Sequence, residues 1–379
     1  MFTAFVPEIE EFNVMKKRVF TFLLVALAFQ LAGSAVEPYG RITPEKGDTF
    51  ALFLAGKTKG AYHFDGSRPF ASWHENARKE LIRLLKLEEV LTAPRIALNP
   101  RRLWVKNFPE GRIEKIVLAS EEQMDMPVYF CVPKGKGPFK FFICLQGHSS
   151  GMHNSIGVEK NDENVRKEIE KDRDFALQFL KRGYGVLCIE QRALGERNGD
   201  NKLKHGCLRS SMHHLMLGRT LIGMRVFDVD RGIDYLQSRG EVEKGFMGVM
   251  GNSGGGTAAL YSGAVLPRIT HVMPSGCFCT FAGSIIYKRH CNCNYIPDIL
   301  KFGDMAEIAG LCAPKHLVIV NGEKDHIFPI APAKSEFKRL KAIYRSAGVP
   351  DRCIMAVGRE GHRFFAEEAF AALAEISVK

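Results

Sequence analysis

From residue 113 onward, short apolar runs alternate with segments of helical pattern, and this alternation limits the folds open to the chain. Two early runs are followed by regular strand–helix alternation, which is typical of a mostly parallel sheet with helices on both faces. The sequence therefore predicts an α/β fold with eight strands. The predicted strands lie at 113–119, 126–132, 140–146, 185–190, 246–250, 269–273, 316–320 and 353–357. The predicted helices lie at 162–182, 220–238, 254–265, 331–347 and 364–375.

Residues 36–110 precede this pattern and contain one amphipathic helix, from about Trp73 to Leu87. Apolar residues recur there at helical spacing. No linker rich in glycine or serine follows, so we expect this N-terminal helical extension to pack on a main domain formed by residues 111–379.

The N-terminal segment has the pattern of an export signal. Lys16, Lys17 and Arg18 precede an apolar run of about 14 residues, and Gly33-Ser34-Ala35 offers small residues for cleavage. We expect residues 1–35 to be a signal peptide, with translation starting at Met1 or at Met15, and the protein to be periplasmic or extracellular. An uncleaved anchor is the alternative, although the run is shorter than the roughly 20 residues of a membrane-spanning helix.

The chain carries a net charge of +11, but its basic residues are scattered. Because nucleic-acid-binding proteins cluster Lys and Arg on one face or helix, we expect no nucleic-acid partner. We also expect no stable membrane span.

Ser253 lies in the string Gly251-Asn252-Ser253-Gly254-Gly255, between a predicted strand and a predicted helix. This is the G-x-S-x-G pattern of a nucleophile elbow, in which a sharp turn presents a serine at the end of a sheet. A tight glycine turn without chemistry is the alternative. A serine also needs a base, and the base needs an acid that orients it.

Asp325 and His362 each follow a later predicted strand, in the chain order serine, acid, histidine. Since active sites of such sheets lie at the carboxyl ends of the strands, we expect Asp325 as acid and His362 as base. Glu323 is the rival acid. For the oxyanion we expect the backbone N–H groups of His148 and Gly254, because His148 follows the strand at 140–146. The alternative is that residues 146–151 form a plain turn.

Ten cysteines are present. Three of them, Cys131, Cys144 and Cys188, lie in predicted strands and are expected as buried thiols. Two C-x-C pairs stand in one short region, Cys277/Cys279 and Cys291/Cys293. We expect at least one disulfide among these four; free thiols and a zinc site remain alternatives.

The chain resembles the α/β-hydrolase superfamily in the strings that contain Ser253, His148, Asp325 and His362. Finer strings resemble its acetyl xylan esterase-like and dienelactone hydrolase-like bacterial branch: Gln191-Arg192-Ala193-Leu194-Gly195-Glu196-Arg197, Gly218-Arg219-Thr220-Leu221-Ile222-Gly223, Cys293-Asn294-Tyr295-Ile296-Pro297 and 321–329. Dienelactone hydrolases use cysteine where this chain has Ser253, and acetyl xylan esterases often have histidine at the position of Gln146.

The resemblance implies an exported serine ester hydrolase that removes short acyl groups, such as acetyl, from a small-molecule or polysaccharide ester. It implies no cofactor and no metal. The alternatives are a serine peptidase of the prolyl oligopeptidase-like type and a non-catalytic carbohydrate-binding relative. Four arginines are candidates for meeting sugar hydroxyls or a uronic acid carboxylate, with ordinary ion pairing as the alternative: Arg192, Arg197, Arg209 and Arg219.

Overall fold

A nine-stranded sheet forms the centre of the computed structural model, which describes residues 47–199 and 206–377. The strand order is β1-β2-β3-β5-β4-β6-β7-β8-β9. The strands are β1 Arg101–Phe108, β2 Gly111–Glu121, β3 Met124–Pro133, β4 Phe139–Leu145, β5 Gly185–Ile189, β6 Val242–Asn252, β7 His271–Ser275, β8 His316–Gly322 and β9 Cys353–Gly358.

The first three strands run antiparallel, and β3 also pairs antiparallel with β5. Every pairing from β5 through β4 to β9 is parallel. The sheet is therefore mostly parallel, as predicted, but the predicted number of eight strands is wrong. The additional strand is β1, which lies before residue 111. It is an exposed edge strand with Arg101, Arg102 and Lys106, and so it shows no apolar run in the sequence.

The parallel part of the sheet is buried on both faces. Alternate residues of β4 point to opposite sides, since a strand has a period of two. Phe141 and Ile143 belong to one large apolar cluster, together with Trp73 from the N-terminal helix. Phe142 and Cys144 belong to a second cluster with Phe175. Helices thus cover both faces.

The helices are α1 Gly47–Lys57, α2 Phe70–Leu84, α3 Glu88–Thr92, α4 Phe175–Leu180, α5 Cys207–Met216, α6 Leu221–Gln237, α7 Gly254–Val265, α8 Ile299–Phe302, α9 Met305–Gly310, α10 Ile330–Ser346 and α11 Ala366–Ser377. Helices α6, α7, α10 and α11 match predicted helices within two residues at each end, and α2 is displaced by three.

The predicted helix at 162–182 is wrong except for α4. Lys171 and Asp172 have positive φ angles of 64° and 53°, which end any helix there. The side chain of Glu163 leaves the surface and accepts hydrogen bonds from Lys115 at 2.8 Å and Trp104 at 2.7 Å. Buried tertiary partners of Glu163 thus override the helix propensity of this Lys- and Glu-rich segment.

Within residues 47–199 and 206–377, none of the helices has the length and apolar character needed to cross a bilayer. The expected signal peptide, residues 1–35, lies outside the described residues.

Candidate active site

Ser253 lies at the sharp turn between β6 and α7. Its φ and ψ angles are 56° and −122°, a conformation that non-glycine residues rarely adopt. Strand β7 holds this turn, because the backbone N–H of Ser253 donates to the carbonyl of Ser275 at 2.7 Å and the Ser275 hydroxyl donates to Asn252 Oδ1 at 2.9 Å. The turn therefore has the backbone geometry of an elbow that presents a serine above the sheet.

Glycines flank Ser253 because neighbouring backbone passes very close. A Cβ atom on Gly255 would lie 2.1 Å from the carbonyl oxygen of Leu145, at the end of β4. One on Gly147 would lie 2.5 Å from the carbonyl oxygen of Asn252. Real Cβ atoms do not approach this closely, so a side chain at either position would push the loop after β4 away from the turn.

The ring of His362, in the loop after β9, contacts Asp325 in the loop after β8. His362 Nδ1–H donates to Asp325 Oδ2 at 2.7 Å. The other carboxylate oxygen accepts the backbone N–H groups of Ile327 at 2.8 Å and Phe328 at 3.1 Å. Burial alone would raise the pKa of Asp325, but the hydrogen bonds from His362 and these amides lower it overall. Glu323, the rival acid, is exposed.

His148 and Gly254 meet beside Ser253. A Cβ atom on Gly254 would lie 2.6 Å from His148 Cε1, so the imidazole packs against the Gly254 backbone. Gly254 opens α7, where a backbone N–H has no acceptor within the helix. Gln146 anchors the same loop, because its Nε2 donates to Ser155 and to the Arg173 carbonyl, both at 2.8 Å. The two expected oxyanion donors thus belong to adjacent segments.

A cavity of about 690 Å³ lies over these segments. Ser253, Gly254, His148 and His362 all line it, whereas Asp325 does not. The structure therefore brings the expected nucleophile, base and oxyanion segments to one cavity, with the acid buried behind the base.

Cationic side chains make this cavity basic. Lys171, Arg173 and Arg289 line it, and no aspartate or glutamate of the described residues does. None of the three forms an ion pair with a carboxylate in the described ranges. Sequence reasoning missed all three, because they come from irregular segments remote from the strand ends it examined.

The four arginines singled out in the sequence do not line this cavity. Arg192 Nη2 lies 2.9 Å from the carboxylate of Asp228, and Arg197 Nη1 lies 2.6 Å from the same carboxylate. Arg219 forms an ion pair with Glu121 at 2.8 Å. The fourth is exposed. Ion pairing accounts for Arg192, Arg197 and Arg219, and Arg209 is the exposed one. Arg219 also lines a second cavity that adjoins this one, so its carboxylate-binding role stays a prediction.

Glu190 is a buried carboxyl that the sequence analysis also missed. It follows β5, is 1% exposed, and accepts the backbone N–H of Met152 at 3.1 Å and of Glu196 at 3.3 Å. Burial raises its pKa to about 7. A Cβ atom on Gly195 would lie 2.0 Å from this carboxyl. Glu190 thus ties the loop after β4 to the loop after β5. Its only signal in the sequence is an acid placed directly after an apolar strand.

None of the ten cysteines forms a disulfide. Cys131, Cys144 and Cys188 are buried in strands as predicted. The expected disulfide among the two C-x-C pairs is not formed. Cys279 Sγ donates to the carbonyl of Pro329, while Cys291 and Cys293 lie with their sulfur atoms 3.5 Å apart, well beyond the S–S bond length of about 2.05 Å.

Comparison with known proteins adds a sequence relative and several solved structures. The chain is 29% identical over 294 residues to a Bacillus subtilis protein named "Putative hydrolase YtaP". The aligned region covers 75% of this chain and 92% of that protein. No protein-family model matches the chain.

Similar structures include a Bacteroides fragilis protein described as a "putative acetyl xylan esterase" (TM-score 0.68, 16% identity, 86% of this chain and 84% of that chain). A glucuronoyl esterase from Solibacter usitatus matches with a TM-score of 0.59 and 15% identity, and the match covers 85% of this chain and 98% of that chain. An acetyl xylan esterase from Paenibacillus sp. R4 matches with a TM-score of 0.54 and 17% identity, and the match covers 86% of this chain and 99% of that chain. At these identities the likeness is one of fold, and it agrees with the strand order and with the turn at Ser253: the chain has the α/β-hydrolase fold.

Proposed function

We propose that this protein is a serine ester hydrolase that removes short acyl groups from carbohydrate. One observation carries the proposal. Ser253 and His362 line the same cavity, and His362 is hydrogen-bonded through Nδ1 to the buried Asp325. The hydrolase relative and the carbohydrate esterases of similar fold support the same reaction class.

In this mechanism the Ser253 hydroxyl attacks the ester carbonyl while His362 accepts its proton. Because Asp325 holds Nδ1–H, the nitrogen left to act as base is Nε2. The backbone N–H groups of His148 and Gly254 stabilise the negative charge that develops on the carbonyl oxygen. His362 then protonates the leaving alcohol. A water molecule, deprotonated by His362, attacks the acyl-enzyme and releases the acid.

The cavity favours a small acyl group. Among the described residues, three large apolar side chains line it, Leu208, Ile327 and Phe328, whereas a fatty chain needs a wide apolar surface. A second cavity of about 560 Å³ adjoins it and shares the lining residues Leu208, Arg289, His290 and Asn292. Two adjoining cavities suit an extended substrate better than a compact ester.

Lys171, Arg173 and Arg289 further favour a glycan that carries carboxylates, such as one containing uronic acid. A cavity whose described lining contains cations and no acid attracts anionic substrates and repels cationic ones. We therefore propose acylated acidic polysaccharide, or an ester of a uronic acid, as the substrate class.

The reaction class is tested with esters of varied chain length. The purified protein should hydrolyse aryl acetate much faster than aryl octanoate and should release acetate from an acetylated glycan. Faster hydrolysis of the octanoate would contradict the proposal. Cleavage of peptides with no release from esters would instead support a serine peptidase.

The substrate charge is tested with acetylated glycans that differ in glucuronate content. Arg173→Gln and Arg289→Gln should each raise KM for the acidic glycan about fivefold, the equivalent of roughly 1 kcal/mol, and should change KM for the neutral glycan much less. Arg345→Gln removes an exposed charge from α10 and should change neither value. Equal effects on both glycans would refute charge recognition.

We also propose that the protein is exported, on the basis of its basic start, the apolar run that ends at Ala32 and the small residues Gly33-Ser34-Ala35. N-terminal sequencing of the mature protein should begin near Val36. Full-length chain recovered from the cytoplasm would contradict export.

A further inference from the structure

Three thiols and one imidazole converge beside the cavity that Ser253 lines. Each of the four residues offers one donor atom, and all four atoms lie within 4.8 Å of one another: His148, Cys207, Cys291 and Cys293. His148 Nε2 is 3.2 Å from Cys293 Sγ, and Cys291 Sγ is 3.5 Å from Cys293 Sγ. The donors come from three segments: the loop after β4, the first residue of α5, and the 3₁₀ turn Asn292–Asn294 with its preceding residue.

Two of these separations, 3.2 Å and 3.5 Å, are close to those of ligands around a small tetrahedral ion. With Zn–S bonds of about 2.3 Å and a Zn–N bond of about 2.0 Å, two sulfur ligands lie about 3.8 Å apart, and a sulfur and a nitrogen lie about 3.5 Å apart. A disulfide would need two of the sulfur atoms at about 2.05 Å and would leave the third thiol and the imidazole without a role. The set Cys₃His is a common closed zinc site.

The surroundings supply the opposite charge that such a site needs. Three thiolates, one neutral imidazole and Zn²⁺ carry a net charge of −1. Arg225 is 1% exposed, and its Nη2 donates to Cys207 Sγ at 3.2 Å. The same guanidinium also donates to the carbonyl of Arg192 at 2.8 Å, but it forms no ion pair with a carboxylate in the described ranges. A buried guanidinium without a counter-charge is costly, and a thiolate cluster provides that counter-charge.

Two of the four residues are buried, whereas His148 and Cys291 are half-buried at the cavity wall. Cys207 and Cys293 are 0% and 2% exposed, and they belong to a small apolar cluster with Ala193, Leu194 and Leu221. The other C-x-C pair, Cys277 and Cys279, lies outside the group of four. The chain therefore places one of its two C-x-C pairs at the site and supplies the remaining ligands from distant parts of the sequence.

We propose that His148, Cys207, Cys291 and Cys293 bind one structural zinc ion. The four ligands leave no open coordination position, so the ion joins three segments rather than activating water. Since Cys291 lines the cavity over Ser253 and Cys293 lines the adjoining one, the zinc site braces the wall between the two. If the proposed function holds, the ion also fixes the loop whose His148 N–H stabilises the oxyanion.

Metal content tests the proposal independently of esterase activity. The protein is expressed in zinc-supplemented medium, purified with a reductant and without chelators, and analysed by inductively coupled plasma mass spectrometry. We expect about one zinc per chain. Cys207→Ala and Cys293→Ala should lose it, and Cys279→Ala, which removes a buried thiol outside the site, should keep it.

A second measurement does not depend on the variants folding. Wild-type protein whose metal is exchanged for Co²⁺ should show thiolate-to-cobalt charge-transfer bands and the intense visible bands of tetrahedral cobalt. Wild-type protein without zinc that also fails to take up Zn²⁺ or Co²⁺ would overturn the proposal. So would a disulfide between any two of Cys207, Cys291 and Cys293 in non-reduced peptide maps, or equal zinc loss in Cys279→Ala.

Discussion

His362 Nδ1 lies 2.7 Å from Asp325 Oδ2, and Asp325 in turn is held by two backbone N–H groups of its own loop. The Asp325 side chain is 0% exposed, so the carboxylate is fixed in position and shielded from water. A histidine oriented in this way keeps its proton on Nδ1 and presents Nε2 as a base.

Asp325→Asn should therefore lower kcat for aryl acetate by about 10⁴-fold, because the amide can donate to Nδ1 and favours the wrong tautomer. Glu323→Gln, two residues earlier and exposed, should leave kcat nearly unchanged. Steady-state kinetics of the two purified variants makes the comparison. A larger loss in Glu323→Gln would assign the acid to Glu323 instead.

Glu190 should make the protein less stable as the pH rises. Burial raises its native pKa to about 7, above the ordinary value of 4.5, so between these values the native state binds more protons than the unfolded state. The stability contribution is present below about pH 4.5 and is lost as the pH rises through 7. Relative to Glu190→Gln, the wild type should lose on the order of 2 kcal/mol of unfolding free energy between pH 5 and 8.

Urea denaturation across this pH range measures the difference. Glu168→Gln changes an exposed glutamate and should follow the wild-type curve. If wild type and Glu190→Gln keep a constant separation from pH 5 to 8, the raised pKa of Glu190 is refuted.

Asp228 holds the buried guanidinium groups of Arg192 and Arg197. Burial opposes its ionisation, but the two arginines lower its pKa to about 2, so it is charged at neutral pH. Asp228→Ala leaves Arg197 buried without an ion-pair partner in the described part of the chain and leaves Arg192 with Glu121 alone, so it should destabilise the fold by about 3–5 kcal/mol. Asp125→Ala breaks an exposed pair with Arg101 and should cost less than about 1 kcal/mol. Similar urea midpoints for both variants would contradict this ranking.

The sequence predicted best those elements whose burial follows a simple period. The parallel strands are buried on both faces and read as apolar runs, and helix 254–265 was predicted with its exact bounds because the glycine turn marks its start. Strand β1 escaped prediction because it is an exposed edge with charged residues. The helix predicted at 162–182 failed because Glu163 has buried partners far away in the chain.

The same reasoning applies to the sites. Ser253, Asp325 and His362 follow strands in a fixed order, so strand-end placement was enough to nominate them. Cys207 carries no such signal, since its neighbours at the cluster are 59 residues before it and 84 residues after it in the sequence. Only the folded chain brings His148 and the three thiols together.

The role of Ser253 is the central claim, and the most direct measurement compares Ser253→Ala with Ser262→Ala. Both serines belong to the elbow and its helix, but the Ser262 hydroxyl is buried and has no hydrogen-bond partner in the described part of the chain. In a continuous assay of aryl acetate hydrolysis, Ser253→Ala should lose activity by about 10⁴-fold or more, with unchanged circular dichroism, and Ser262→Ala should retain wild-type turnover. Esterase activity that survives in Ser253→Ala would contradict the account.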